Sequence, residues 1–381
     1  MWFVPLTSVL DAYGLHGIKP YAYATFGLAA FVSPLLFGAM ADLHLGPVRV
    51  LRWVAAGVAI SLALLSTAID QHFDRWLVLS LTQVLTLFAA PTWSLTNTIV
   101  LAALANPSRE FGPVRALGTL GWMAGCWVVS ALNLDSSTLA GYCGCVTWLA
   151  VSCFTLLLPS VAPPKLPEPL SLRRLLGVDS LLLLKNRDHR AVFTTAALAT
   201  IPLAAFYPYT PPHLRELGLE RTAAWMTLGQ VTEILAMLSL STLLAKWRLK
   251  WIFVAGLVCA LWRYIFCALN GKAWLLAGVS LHGFAFTLFF ITAPIYLDSR
   301  VDPKWRARAQ ALMVLMTSGL GNLAGYLMSG WWFKACERPS GTQWPLFWGG
   351  LAGGVALVLA YFLITYRGET QASATISGKR G

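Results

Sequence analysis

The sequence predicts an all-α membrane protein that crosses the bilayer many times, in two groups of six helices, and three observations predict it. Composition is the first: of 381 residues, 57% are hydrophobic and 12% charged, with a mean hydropathy of +0.65. No ordinary soluble domain of this length carries so much apolar surface. Recurrence is the second, because runs able to supply the about 20 apolar helical residues that cross a bilayer return along the whole chain between short polar breaks. The third is the placement of cations, which collect in cytoplasmic loops. With the loop after residue 42 placed inside and the loops then alternating, 19 of the 28 Lys and Arg fall inside and 7 outside. Acidic residues divide 8 to 6, as expected of a bias carried by cations and not by net charge.

Taken in order, the chain opens with "MWFVPLTSVLDAYGL", apolar and aromatic but limited to about 13 helical residues, roughly 20 Å. That is too short to span, so it is expected to be the outer half of a first span or a re-entrant piece. It has neither the positive n-region nor the small-residue cleavage site of a signal peptide. Spans two to twelve are expected near residues 22–42, 50–69, 76–104, 113–133, 138–159, 190–209, 223–245, 251–269, 273–297, 307–333 and 343–366. Both termini then lie in the cytoplasm.

Residues 160–189, "SVAPPKLPEPLSLRRLLGVDSLLLLKNRDH", are rich in Pro and basic at their core, with a short amphipathic piece suited to the inner membrane surface. The expected organisation is an N-terminal bundle over 1–159, a cytoplasmic linker over 160–189, a C-terminal bundle over 190–366 and a polar tail over 367–381. The loop "GAMADLHLGPVR" (38–49) holds the same place in the first half as "LLAKWRLKW" (243–251) in the second. Paired halves around a central linker are the plan of many secondary transporters, whose site lies near the midplane between the halves.

Several classes are excluded by the same residues. The net charge of +12 follows from topology and attraction to anionic lipid, and its scatter over many loops offers nucleic acid no patch. The seven Cys form no CxxC pair and no His–Cys metal spacing, so they read as small packing residues and not as a metal site. Zinc-protease, P-loop and GxSxG patterns are absent, which argues against an enzyme or a bound cofactor.

After every other charge is assigned to a loop, Asp11, Arg115, Glu233 and Arg263 remain. An ionisable group at the centre of a span costs at least about 2.5–3.5 kcal/mol, so it usually faces a cavity or a partner. Glu233 lies about ten residues into span 8, too short to snorkel, with Gln230 on the same face; it reads as a functional carboxyl or as a neutral one satisfied by a neighbouring hydroxyl. Arg115, Thr119 and Trp122 fall at i, i+4 and i+7, stacking a cation, a hydroxyl and an indole on one face of span 5. Snorkelling of Arg115 to headgroups is the alternative. Arg263, beyond the middle of span 9, is equally a structural partner or a gate, and Asp11 reads as an interfacial carboxylate. His282 and Phe286 share a face of span 10, with Thr287 beside them. His282 is a second proton carrier or a donor to a backbone carbonyl. "AFYPYTPP" (205–212), which contains Tyr207, is expected to break span 7 near its outer end.

The chain resembles the major facilitator superfamily and, within it, the nucleoside:proton symporter family. Gly38 and Asp42 stand where the superfamily's loop motif has GxxxD, although "LHLGPVR" replaces the usual DRxGRR. The family-level resemblance rests on "APTWSLTNTI" (90–99), "FGPVRALGTLGW" (111–122), "LLKNRDHRAVF" (183–193), "QVTEIL" (230–235), "WRYIFCALNG" (262–271) and "RARAQALMVLMTSGLGNLAGYLMSG" (306–330), in the expected order over most of the chain. It implies a monomeric, multi-pass protein of a bacterial inner membrane. A nucleoside or similar polar solute is the expected substrate, with the proton gradient as driving force and no cofactor.

The resemblance further implies that Arg115, Thr119, Gln230 and Glu233 bind substrate, with an aromatic at Trp122, and makes Glu233 the natural proton-coupling group. Tyr207, His282 and Phe286 complete the expected pocket, while Asp42 and Arg263 are assigned structural or gating parts. Two departures stand out. Family members carry a tyrosine and an aspartate where this chain has His282 and Thr287, and amides in span 7 where it has only apolar and aromatic residues around Ala204 to Tyr207. A transporter of sugars or another polar metabolite on the same fold is the alternative, with a non-transporting membrane sensor behind it.

Overall fold

In a computed structural model of the chain, the residues described are 2–33, 37, 45–105, 107–159, 178–302 and 305–368. Eight helices among them are long and apolar enough to cross a membrane, and two shorter apolar helices cover Ala116–Ala131 and Leu139–Phe154. The N-terminal half contains α1 (Leu6–Ala12), α2 (Lys19–Ser33), α3 (Pro47–Asp70), α4 (Arg75–Ala89), α5 (Thr92–Ala103), α6 (Pro107–Ala131) and α7 (Leu139–Phe154). The C-terminal half contains α8 (Arg187–Leu203), α9 (Phe206–Glu216), α10 (Thr222–Met226), α11 (Leu228–Lys246), α12 (Leu249–Ala268), α13 (Lys272–Ala285), α14 (Thr292–Arg300), α15 (Arg306–Val314), α16 (Asn322–Cys336) and α17 (Trp344–Thr365). Pairs α4/α5, α8/α9 and α10/α11 each make one expected span, and α13/α14 and α15/α16 are joined through π-helical turns at Phe286–Ile291 and Leu315–Gly321.

The first segment is shorter than its sequence predicts, with seven residues in α1. Gly14 ends it at φ +72°, with Leu15 N–H donating to Leu10 O and Gly14 N–H to Asp11 O. That reversal satisfies the last carbonyls of the helix and needs a left-handed residue, which glycine adopts without strain. The same pair of bonds closes α3 at His72, α6 at Asn133 and α9 at Gly218, so several outward-running spans turn sharply and hold their outer loops close to the helix ends.

Span 7 corrects the expectation of a break, because the helix resumes as α9 through Pro208, Pro211 and Pro212 and continues to Glu216. A proline supplies no N–H to the carbonyl four residues before it. Pro212 therefore leaves the carbonyl of Pro208 without a helical donor, and Thr7 of α1, fully buried, donates its hydroxyl there at 3.1 Å. The defect in one half becomes a bond to the other.

Apolar clusters differ between the two ends of the molecule, with the cationic loops placed inside. Toward the outer end, Val4, Cys126 and Val129 of the first half share a core with Phe206, Tyr209, Tyr264 and Trp348 of the second, and Tyr326 joins Tyr23 and Leu62. Toward the inner end each cluster stays within one half: Val48, Leu51 and Ile99 in one, Phe193, Phe289 and Phe362 in another. Small residues bring the halves together along α2 and α16. A Cβ on Gly27 would lie 2.8 Å from Leu323 Cβ, and one on Gly330 would lie 2.3 Å from Pro20 Cγ.

Candidate functional site

Below the shared outer core lies a cavity of about 370 Å³, partly open. That is near the small end of the roughly 300–1,000 Å³ range of small-molecule sites. Phe3, Tyr207 and Tyr326 close its upper part, while Phe290, Pro294, Gln310, Met313 and Thr317, on the inner portions of spans 10 and 11, line it toward the cytoplasmic end. Both π-helical turns contribute to its wall, through Phe286 and Phe290 in one and Thr317 and Ser318 in the other. Such single wide turns recur at functional sites because they re-aim side chains without ending the helix.

Glu233 lies on this cavity, 7% exposed, together with Tyr207, Arg263, His282 and Phe286. Its position is fixed by close approach of α11 and α13. A Cβ on Gly283 would sit 2.0 Å from Glu233 N and 2.3 Å from Gly229 O, and one on Gly229 would meet His282 Cδ2 at 3.1 Å. Glycine at position 283 lets the backbones touch, and Gly229 keeps the crossing tight, as small residues do between membrane helices. Thr232 Oγ1 donates to Ser280 O at 2.5 Å across the same contact, and Thr287 Oγ1 to Glu233 O at 3.5 Å.

Aromatic faces surround the polar groups. The His282 ring stacks on Phe206 at 4.1 Å and 9°, Phe286 covers it at 6.1 Å, and Tyr207 meets it edge-on at 5.8 Å. Arg263 is 1% exposed, donates Nη1–H to His282 Nδ1 at 2.7 Å, and lies over the rings of Phe206 and Tyr264 at 4.8 and 4.5 Å. Cation–π contacts of this kind strengthen as water is removed.

The remaining predicted residues sit around this group in different ways. Gln230 is buried one layer back and donates Nε2–H to the Tyr207 hydroxyl at 3.4 Å. Thr119 is buried and Trp122 is 38% exposed; neither lines the cavity, but the Trp122 ring lies 5.9 Å from that of Phe3, which does. Arg115 falls on α6 with its side chain outside the described residues, and Asp42 lies outside them altogether. Asp11, expected as an interfacial carboxylate, is partly exposed and pairs with the buried Lys19 at 2.8 Å, and the Lys19 ammonium stands 5.7 Å from the Phe333 ring of the other half. Phe3, Phe206, Gln310, Thr317 and Tyr326 were not singled out from the sequence. Gln310 and Thr317, seven residues apart on span 11, carried a weak signal as polar groups on one helical face.

Comparison with known proteins places this geometry. The family described as Nucleoside H+ symporter matches residues 1–371. The chain belongs to that family. It is 30% identical to the putative nucleoside transporter YegT of Escherichia coli (strain K12), over 96% of this chain and 90% of that protein. It is 25% identical to the xanthosine permease of the same organism, over 91% of this chain and 86% of the permease. A crystal structure of a variant of the nucleoside transporter NupG superposes with a TM-score of 0.88 at 24% identity, covering 96% of this chain and 95% of that one. A POT family peptide transporter superposes at 0.66 with 13% identity, over 98% of each chain. The fold is that of the major facilitator superfamily, and this symporter-family chain is a multi-pass membrane protein.

Proposed function

We infer that this symporter-family protein moves a nucleoside together with a proton across a bacterial inner membrane, by alternating exposure of the cavity to the two sides. The reading is carried by one observation: a carboxyl group, Glu233, 7% exposed on a span, lines a cavity whose other walls are aliphatic side chains, ring faces and a few hydrogen-bonding groups. Flat rings such as Phe286, Phe290 and Tyr207, which line the cavity, suit a base, and Glu233, Gln310 and Thr317 supply the acceptors and donors a ribose needs. Among the described residues the cavity lining holds one cation, Arg263, and that cation is already engaged by rings and by His282. A nucleotide phosphate would call for more.

Glu233 is the proton site in this reading. A carboxylate left ionised inside a span is costly, so the group gains from a proton whenever the cavity is emptied of water and substrate. The test is proton-driven uptake of labelled uridine or adenosine into vesicles, run beside sugars. Accumulation of a nucleoside that a protonophore collapses is expected. Accumulation insensitive to the protonophore, or of sugars alone, would overturn it.

A further inference from the structure

The contact between Arg263 and His282 fixes more than packing. A guanidinium stays protonated in proteins and has no lone pair to offer, so the 2.7 Å contact of Arg263 Nη1 with His282 Nδ1 runs one way, arginine donating and Nδ1 accepting. The ring proton therefore resides on Nε2. Arg263 Nε and Nη2 make no hydrogen bond among the described residues, which leaves His282 as the guanidinium's hydrogen-bonding partner there. The imidazole is held in its plane by stacking on Phe206, with the Phe286 ring 6.1 Å away, and it is hemmed by Gly229 of α11, where a Cβ would come within 3.2 Å of His282 Cβ. His282 lines the cavity, and Nε2 has no hydrogen-bonding partner among the described residues.

We propose that His282 is a specificity-determining residue whose Nε2–H donates to a lone pair on the substrate's base, with Arg263 as the positioning residue that keeps the proton on that nitrogen. A donor fixed in this way selects substrates by an acceptor, a carbonyl oxygen or an unprotonated ring nitrogen, and discriminates against isosteres that carry C–H at the same place. A site that presents a buried donor loses a bond with such an isostere and leaves its own N–H unmet. The proposal rests on the nucleoside reading above.

The test is competition for nucleoside uptake in proteoliposomes by isosteric pairs that differ in one acceptor: adenosine with 7-deazaadenosine, adenosine with 3-deazaadenosine, and cytidine with 3-deazacytidine. In the wild-type protein one pair is expected to separate by about tenfold. His282→Phe brings that ratio close to one. Arg263→Gln, whose amide N–H still donates to Nδ1, keeps the ratio, whereas Arg263→Met, which frees Nδ1 to hold the proton, lowers it. Uptake with the same ratios in wild type and His282→Phe, or with no pair separated, overturns the role of His282 and leaves the nucleoside reading intact. A protein that no nucleoside competes with loses both.

Discussion

The outer and inner ends of the interface between the two halves are built from different contacts. At the outer end polar groups reach across. Asn133 turns the chain after α6 so that the buried Asp135 accepts from Ala223 N–H at 2.7 Å and Thr222 Oγ1–H at 3.3 Å, while Ser130 Oγ accepts from Ala224 N–H at 2.9 Å. These residues form the first turn of α10, whose leading N–H groups have no helical acceptor, and Trp127 Nε1–H adds a bond to Thr227 at 3.1 Å. The carboxylate of one half thus caps α10, which leads directly into α11 and its Gln230 and Glu233 in the other. At the inner end the apolar clusters stop at the boundary of each half, and the cavity is lined by the second half, with Phe3 its one contribution from the first among the described residues. Among the described residues the apolar contacts between the halves gather at the outer end, and Glu233 lines the cavity below them.

If the outer contacts form the seal, disrupting them should change access in proportion to what each removes. Gly27→Leu is expected to act most strongly, since a side chain there would meet the backbone of Leu323 at 2.9 Å. Overpacking costs of about 1–3 kcal/mol predict a fall in accumulation of up to about a hundredfold, read by uptake into vesicles. Asp135→Ala comes next. It removes the acceptor for two groups of α10, and loss of an N-cap costs about 0.5–2 kcal/mol. Labelling of Cys126, 3% exposed in the outer core, by a membrane-impermeant maleimide in a background without other cysteines should rise by about tenfold. Thr7→Val strands the Pro208 carbonyl at a cost of about 1 kcal/mol, and the same labelling should rise only about fivefold. Leu51→Ala, inside a cluster confined to the first half, should lower thermal stability by about 2–5 kcal/mol and leave Cys126 labelling unchanged. A rise there equal to that of Asp135→Ala would mean that the two ends do not differ in kind.

The spans were legible because hydrocarbon thickness sets a length that apolar runs reveal directly. Where length was no guide the sequence misled: α1 ends at a left-handed glycine after seven residues, and the prolines of α9 are tolerated because Thr7, some two hundred positions away, meets a freed carbonyl. Glu233 could be found since a carboxyl inside a span has so few harmless explanations. Arg263 and His282 were each visible, but not their bond, which depends on how α12 and α13 pack. The acid that caps α10 was also hidden, because Asp135 sits in a loop where charge is ordinary.

The coupling role of Glu233 is tested most directly by comparing two modes of transport in one variant. With Glu233→Gln in proteoliposomes, exchange of labelled for unlabelled nucleoside across the membrane should continue, while accumulation driven by an inward proton gradient should vanish. Accumulation against a nucleoside gradient by the glutamine variant would contradict the account.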